Sequence, residues 1–151
     1  MKKSILFILI SIYIFTLGCS VSNSDSILNV IGLDKFCQDY EVTIFYALSA
    51  TGEKIMLTKE FCNEFEDLLS EMKCHSIKEL DPHDFEVGSY IVFSFYKNQE
   101  LITYLTWHNP DSTKLIMHTS NPSTKYFVLE INSNDMNKLR NFVDRVYKEL
   151  H

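Results

Sequence analysis

Six short runs rich in β-branched and aromatic residues, two stretches whose apolar residues recur every three to four positions, and short polar links between neighbouring runs predict an α+β fold. The expected arrangement is a single antiparallel sheet of about five to six strands with two amphipathic helices packed on one face, in the order β-β-α-β-β-β-β-α.

The first run, Val42-Thr43-Ile44-Phe45-Tyr46-Ala47-Leu48, meets Lys54-Ile55-Met56-Leu57 through a turn containing Gly52, which reads as a hairpin. Thr58 then offers a side-chain cap to a helix in which Phe61, Phe65, Leu68, Leu69 and Met72 line one stripe. Glu60, Glu64, Asp67 and Glu71 occupy the other side and read as a solvated face, Glu60 also favouring the helix dipole. Residues 75–88 are polar and broken by Asp81-Pro82, so a surface loop with one short extended piece is expected. Strands are expected at 90–97, 101–107, 114–118 and 125–131, separated by turns such as Asn109-Pro110-Asp111 and Asn121-Pro122-Ser123. Links this short make the neighbours antiparallel. A last helix, capped near Ser133 or Asn134, carries Met136, Leu139, Phe142, Val143, Val146, Tyr147 and Leu150 in its stripe. Residues 27–40 are ambiguous, with a short helix expected around 33–38.

Packing both helices on one face leaves the other face of the sheet to explain. Alternation places Tyr90, Ser94, Tyr96, Thr103 and Thr106 among its candidates, and tyrosines and threonines on an uncovered sheet suit contact with a partner.

The N-terminus carries an address. Met1-Lys2-Lys3 is basic, and the apolar run that follows ends at Leu17 before Gly18-Cys19. As a helix, residues 5–17 would reach only about 20 Å, short of the roughly 30 Å hydrocarbon core that a transmembrane helix crosses. The segment reads instead as a cleavable signal. Thr16-Leu17-Gly18-Cys19 resembles the lipobox of bacterial lipoproteins, with Thr16 in place of the usual leucine. The resemblance implies cleavage behind Gly18 and a diacylglycerol on Cys19, so that further acyl chains such as palmitate hold the mature chain stably at a membrane. The implied organisation is a signal peptide at 1–18, a lipidated cysteine and flexible tether at 19–26, and one globular domain at 27–151. The implied location is the cell membrane or the outer membrane, with the domain outside the cytoplasm. Ser20 stands where an aspartate would mark inner-membrane retention in many Gram-negative bacteria, which favours the outer membrane in such a host.

Cleavage leaves 133 residues, enough for one core, and removes Lys2 and Lys3, taking the formal net charge from −6 to −8. This charge argues against nucleic-acid partners and against electrostatic binding to anionic lipid. Besides Cys19 the mature chain has Cys37, Cys62 and Cys74 in a compartment that permits disulfides, so at most one pair closes within the chain. A continuous helix between Cys62 and Cys74 would hold them about 18 Å apart, which leaves Cys37 with Cys62, Cys37 with Cys74, or three free thiols.

Phosphate loops, dinucleotide glycine patterns, G-x-S-x-G elbows, H-E-x-x-H helices and paired C-x-x-C motifs are missing from the sequence. One weak constellation remains: Cys74, His75, Asp81, His83 and Asp84, whose residue types suit a metal but whose spacing matches no recognised zinc site. A cysteine nucleophile would need Cys62 or Cys74 to meet His83, His108 or His118. The expectation is therefore a non-catalytic binding protein without cofactor or metal, anchored through Cys19 and engaging an envelope protein. An immunity or inhibitor protein is its most concrete form. The alternatives are an accessory subunit of an envelope assembly and a small hydrolase or metal-binding protein.

Overall fold

The computed structural model describes residues 25–33, 36–47, 52–81, 88–109, 112–119 and 125–150. Among them four helices and seven strands follow one another as α1 (Ile27–Ile31), α2 (Phe36–Asp39), β1 (Glu41–Tyr46), β2 (Glu53–Met56), α3 (Lys59–Glu71), β3 (Cys74–Leu80), β4 (Tyr90–Lys97), β5 (Glu100–His108), β6 (Lys114–Thr119), β7 (Lys125–Ile131) and α4 (Ser133–Leu150). The strands form one open antiparallel sheet in the order β2-β1-β4-β5-β6-β7-β3. The α+β class, the antiparallel sheet and the two long helices agree with the reading of the sequence.

The seventh strand is the main departure. The stretch from Cys74 to Leu80 is an edge strand against β7, with Ile77 opposite Leu129 and Leu80 opposite Tyr126, rather than part of a surface loop. The short extended piece expected within this loop is in fact a full edge strand, which the sequence understates because most of its side chains are exposed and show no apolar alternation. Two short helices also precede the sheet. Ser26 caps α1 by accepting from the Asn29 N–H at 3.2 Å, and Gly32 ends it in the left-handed conformation at φ 70°. The single helix expected around 33–38 becomes α2, which begins at Phe36.

β2 and β3 are consecutive strands at opposite edges of the sheet, and α3 joins them. Seven strands measure about 29 Å across at 4.8 Å spacing, while thirteen helical residues cover about 20 Å, so α3 with its flanking residues spans the sheet. Thr58 caps its start by accepting from the Phe61 N–H. The cap of α4 is Asn132, one position before those expected: its Oδ1 accepts from the Asp135 N–H at 2.8 Å while its Nδ2 donates to the Asp135 carboxylate. Asp135, 6% exposed, also accepts from the Lys73 N–H and pairs with Lys138, which ties the start of α4 to the end of α3.

Both long helices pack on the same face. Phe65 of α3 stacks within 5.1 Å of Phe93 and 5.2 Å of Phe142, and Phe36 of α2 meets Phe65 and Phe95 edge-on. The sheet contributes Val42, Ile44, Ile91, Leu105, Trp107, Leu115 and Leu129 to the same core. Tyr46 reaches under α4 and donates its hydroxyl to the Val143 carbonyl at 3.0 Å; burial raises its phenol above the ordinary value. The expected acidic side of α3 is outward, with Glu71 bridged to Lys138 and Glu64 to Arg145 of α4.

Candidate functional site

All four described helices lie on one side of the sheet, and no described element covers the other. Strand alternation decides which side chains stand on this open face. In β4 the residues Ile91, Phe93 and Phe95 point into the core, so Tyr90, Val92 and Ser94 point away from it. Pairing carries the alternation across: Tyr90 faces His108, Val92 faces Thr106, and Ser94 faces Tyr104 on β5. Tyr104 is opposite His118 on β6, which is opposite Tyr126 on β7, and Phe45 opposite Val92 extends the face onto β1. The outcome is a band of half-buried rings and hydroxyls running across five strands.

The sequence placed Tyr90, Ser94, Tyr96 and Thr106 on this face, and the structure agrees. Thr103 is a correction. A two-residue turn, Asn98-Gln99, starts the β4–β5 hairpin with Lys97 opposite Glu100, and unbroken pairing from there would set Thr103 opposite Ser94. A bulge after Tyr96↔Leu101 leaves Ile102 as an extra residue and shifts Thr103 opposite Phe95, onto the helix side, where its hydroxyl donates to the His118 carbonyl at 2.5 Å. Phe45, Tyr104, His108, His118 and Tyr126 were missed. Their strands were recognised, but face membership depends on a register that the bulge alters.

Two features shape the face. Tyr90, Val92, Ser94, Leu101, Tyr104, Thr106 and His108 line a shallow groove of about 390 Å³, none of them carrying a fixed charge. Beside it the imidazole of His118 stacks on Tyr104 with ring centres 4.2 Å apart and planes 12° from parallel, and Tyr126 lies 5.2 Å away. Burial, and then the neighbouring Tyr126 phenol, push the Tyr104 hydroxyl up to about 12. The buried Nδ1 of His118 has no hydrogen-bond partner among the described residues, and burial lowers its pKa from the ordinary 6.5. Gly52, at φ +48°, belongs to the same surface: a Cβ there would come within 2.6 Å of the Phe45 ring, so glycine lets the β1–β2 turn fold against it.

A depressed histidine pKa fixes the sign of a pH effect. The folded state binds fewer protons at this site than the unfolded state, so its contribution is present above pH 6.5 and is lost as pH falls through the folded value. Urea unfolding of the wild type should therefore lose more stability between pH 7.5 and pH 5, values set for the titration, than a His118→Gln variant does. Equal losses in the two proteins would refute the assignment.

The structure does not assemble Cys74, His75 and Asp81 into one site. Along an extended strand Cys74 and Asp81 stand more than about 20 Å apart. Cys74 is buried and donates its S–H to the Ser76 carbonyl at 3.1 Å, whereas His75 and Asp81 are exposed. His83 and Asp84 lie outside the described residues, as does Cys19. Among the described residues no group of three or more histidine, cysteine or acidic side chains could hold a metal ion. Nor does the fold bring a cysteine to His108 or His118: the thiols belong to the helix side and the imidazoles to the open face. Burial raises the Cys37, Cys62 and Cys74 thiols above the ordinary 9.0, which makes each a poor nucleophile at neutral pH.

Compared with protein-family models, with curated proteins and with solved structures, the chain matches none.

Proposed function

We propose that this chain is a lipid-anchored protein of the cell envelope, tethered through Cys19, whose domain binds a partner protein across the open sheet face and performs no catalysis of its own. The observation that carries the reading is the band of Phe45, Tyr90, Tyr104, His118 and Tyr126 on a sheet face that no described element covers. Such residues join large apolar contact area to hydroxyls that retain hydrogen-bonding capacity, which is the composition of protein interfaces. A net charge of −8 for the mature chain favours a basic partner, as an immunity or inhibitor protein would meet, and acts chiefly on the rate of encounter.

A photoreactive phenylalanine introduced in place of Tyr104, compared with one in place of exposed Asn141 on α4, tests the reading in intact cells. The expected result is one discrete protein adduct from the first position and none from the second, and the adduct should be weaker when isolated membranes are washed and irradiated in high salt. Adducts from position 141 alone, or from neither, would defeat it. Membrane fractionation and intact mass of the wild type beside Cys19→Ala test the anchor separately: lipid mass and membrane retention are expected only in the wild type.

A further inference from the structure

We propose that Cys37 and Cys62 are a disulfide-forming pair that joins α2 to α3, and that Cys74 remains a thiol. The pairing rests on how α2 sits against α3. Cys37, the second residue of α2, donates its backbone N–H to the Glu66 carboxylate at 2.9 Å. Glu66 and Cys62 are four residues apart on α3 and so project from the same side of that helix. The hydrogen bond to Glu66 thereby draws Cys37 toward Cys62, near enough for each thiol to perturb the other. Phe36, fully buried against Phe65 and Phe95, fixes the start of α2, so this approach does not depend on a free chain end.

Cys74 has different surroundings. It starts β3 opposite Ile131, and its sulfur donates to the Ser76 carbonyl two residues along the same strand. Of the two pairings that the sequence leaves open, the fold favours the one between neighbouring helices.

The order of the chemistry also follows from position. Cys37 is half-buried and Cys62 is 5% exposed, so an external disulfide reaches Cys37 first. Cys37 gives up its proton, and its thiolate attacks one sulfur of the reagent disulfide, forming a mixed disulfide and expelling one reagent thiolate. Cys62 then loses its proton and attacks the Cys37 sulfur, expelling the second reagent thiolate. Two electrons pass from the cysteine pair to the reagent, and the two protons complete two reagent thiols. Burial and the nearby Glu66 carboxylate both disfavour the Cys37 thiolate, so the exchange is slow and calls for excess reagent.

The test uses the full chain, folded and extracted from membranes, treated with excess oxidised glutathione, then denatured, alkylated and digested without reduction. The expected product is a peptide pair linking Cys37 to Cys62, lighter by two hydrogens than its reduced halves, abolished by reductant and retained in a Cys74→Ser variant. Separate recovery of Cys37 and Cys62 as alkylated or glutathione-bearing peptides would overturn the proposal, as would linkage of either to Cys74 or Cys19. The wild-type map decides alone, so the conclusion does not require a cysteine variant to fold.

Discussion

Replacing Phe65 by alanine is expected to destabilise the protein by about 3–5 kcal/mol, the usual cost of deleting a fully buried phenylalanine. Phe65 is 0% exposed and is the meeting point of the core: its ring stacks on Phe93, Phe95 and Phe142 and takes the edge of Phe36. These partners belong to β4, α4 and α2, so one truncation opens a cavity that α3, α4 and the sheet would all have to close. Neighbours held by their own aromatic contacts relax only partly, which places the cost toward the upper end. Against a total stability of roughly 5–15 kcal/mol such a loss leaves the domain barely folded at body temperature. Urea unfolding followed by circular dichroism measures it, with Phe45→Ala on the half-buried open face as the comparison, where about 1 kcal/mol is expected. A loss below that figure for Phe65 would mean that the aromatic cluster is not the core.

The second large effect concerns Trp107, the only tryptophan in the chain. It is 0% exposed on β5, its indole N–H donates to the Ser112 carbonyl at 3.1 Å, and the Arg140 guanidinium of α4 lies 5.7 Å from the ring centre. Trp107→Ala removes apolar contact and the hydrogen bond together, for an expected loss of about 3–5 kcal/mol. Trp107→Phe keeps most of the volume and deletes the donor, so a smaller loss of about 1–2 kcal/mol is expected from the unpaired carbonyl and incomplete filling. The native indole should also emit in the blue and resist acrylamide quenching. Red emission or ready quenching in the folded protein would contradict its burial. If both substitutions cost the same, the hydrogen bond rather than the packing dominates at this position.

How much of the fold can be read from the sequence depends on which side chains are covered. The helix stripes of Phe61, Phe65 and Leu69, and of Met136, Leu139, Phe142 and Val146, are buried as the 3.6-residue period requires. The β4 alternation of Ile91, Phe93 and Phe95 with Tyr90, Val92 and Ser94 is equally direct. β3 shows in the sequence only as a short extended piece because Ser76, Lys78 and Glu79 are all exposed at the edge, and even Ile77 is 51% exposed. The α1 signals were present in Ser26 and Gly32, one capping each end, but a five-residue helix offers too few apolar positions to establish a period.

The candidate site was legible only in part, for a different reason. A strand reveals its alternation but not which alternate set faces the helices, and one extra residue reverses the answer. Ile102 is that residue, and it accounts for Thr103. His118 and Tyr126 join Tyr104 only through the register of three strands, which no local pattern specifies. The approach of Cys37 to Cys62 likewise arises from the docking of α2 on α3, two elements whose pairing is tertiary.

The passage of α3 from one sheet edge to the other bears on how the chain folds. Strands β4 to β7 meet their neighbours through local turns, so this meander needs only short loops to close. The outer strands obey another rule: Glu41 must find Tyr96, and Cys74 must find Ile131. These long-range pairings raise the contact order and incur loop-closure entropy before they return any stabilisation. The meander is the natural nucleus, the edges join it late, and β3 has no strand to pair with until the chain has been made as far as β7. A ribosome therefore holds an incomplete sheet, with β3 unpartnered, until β7 has been made.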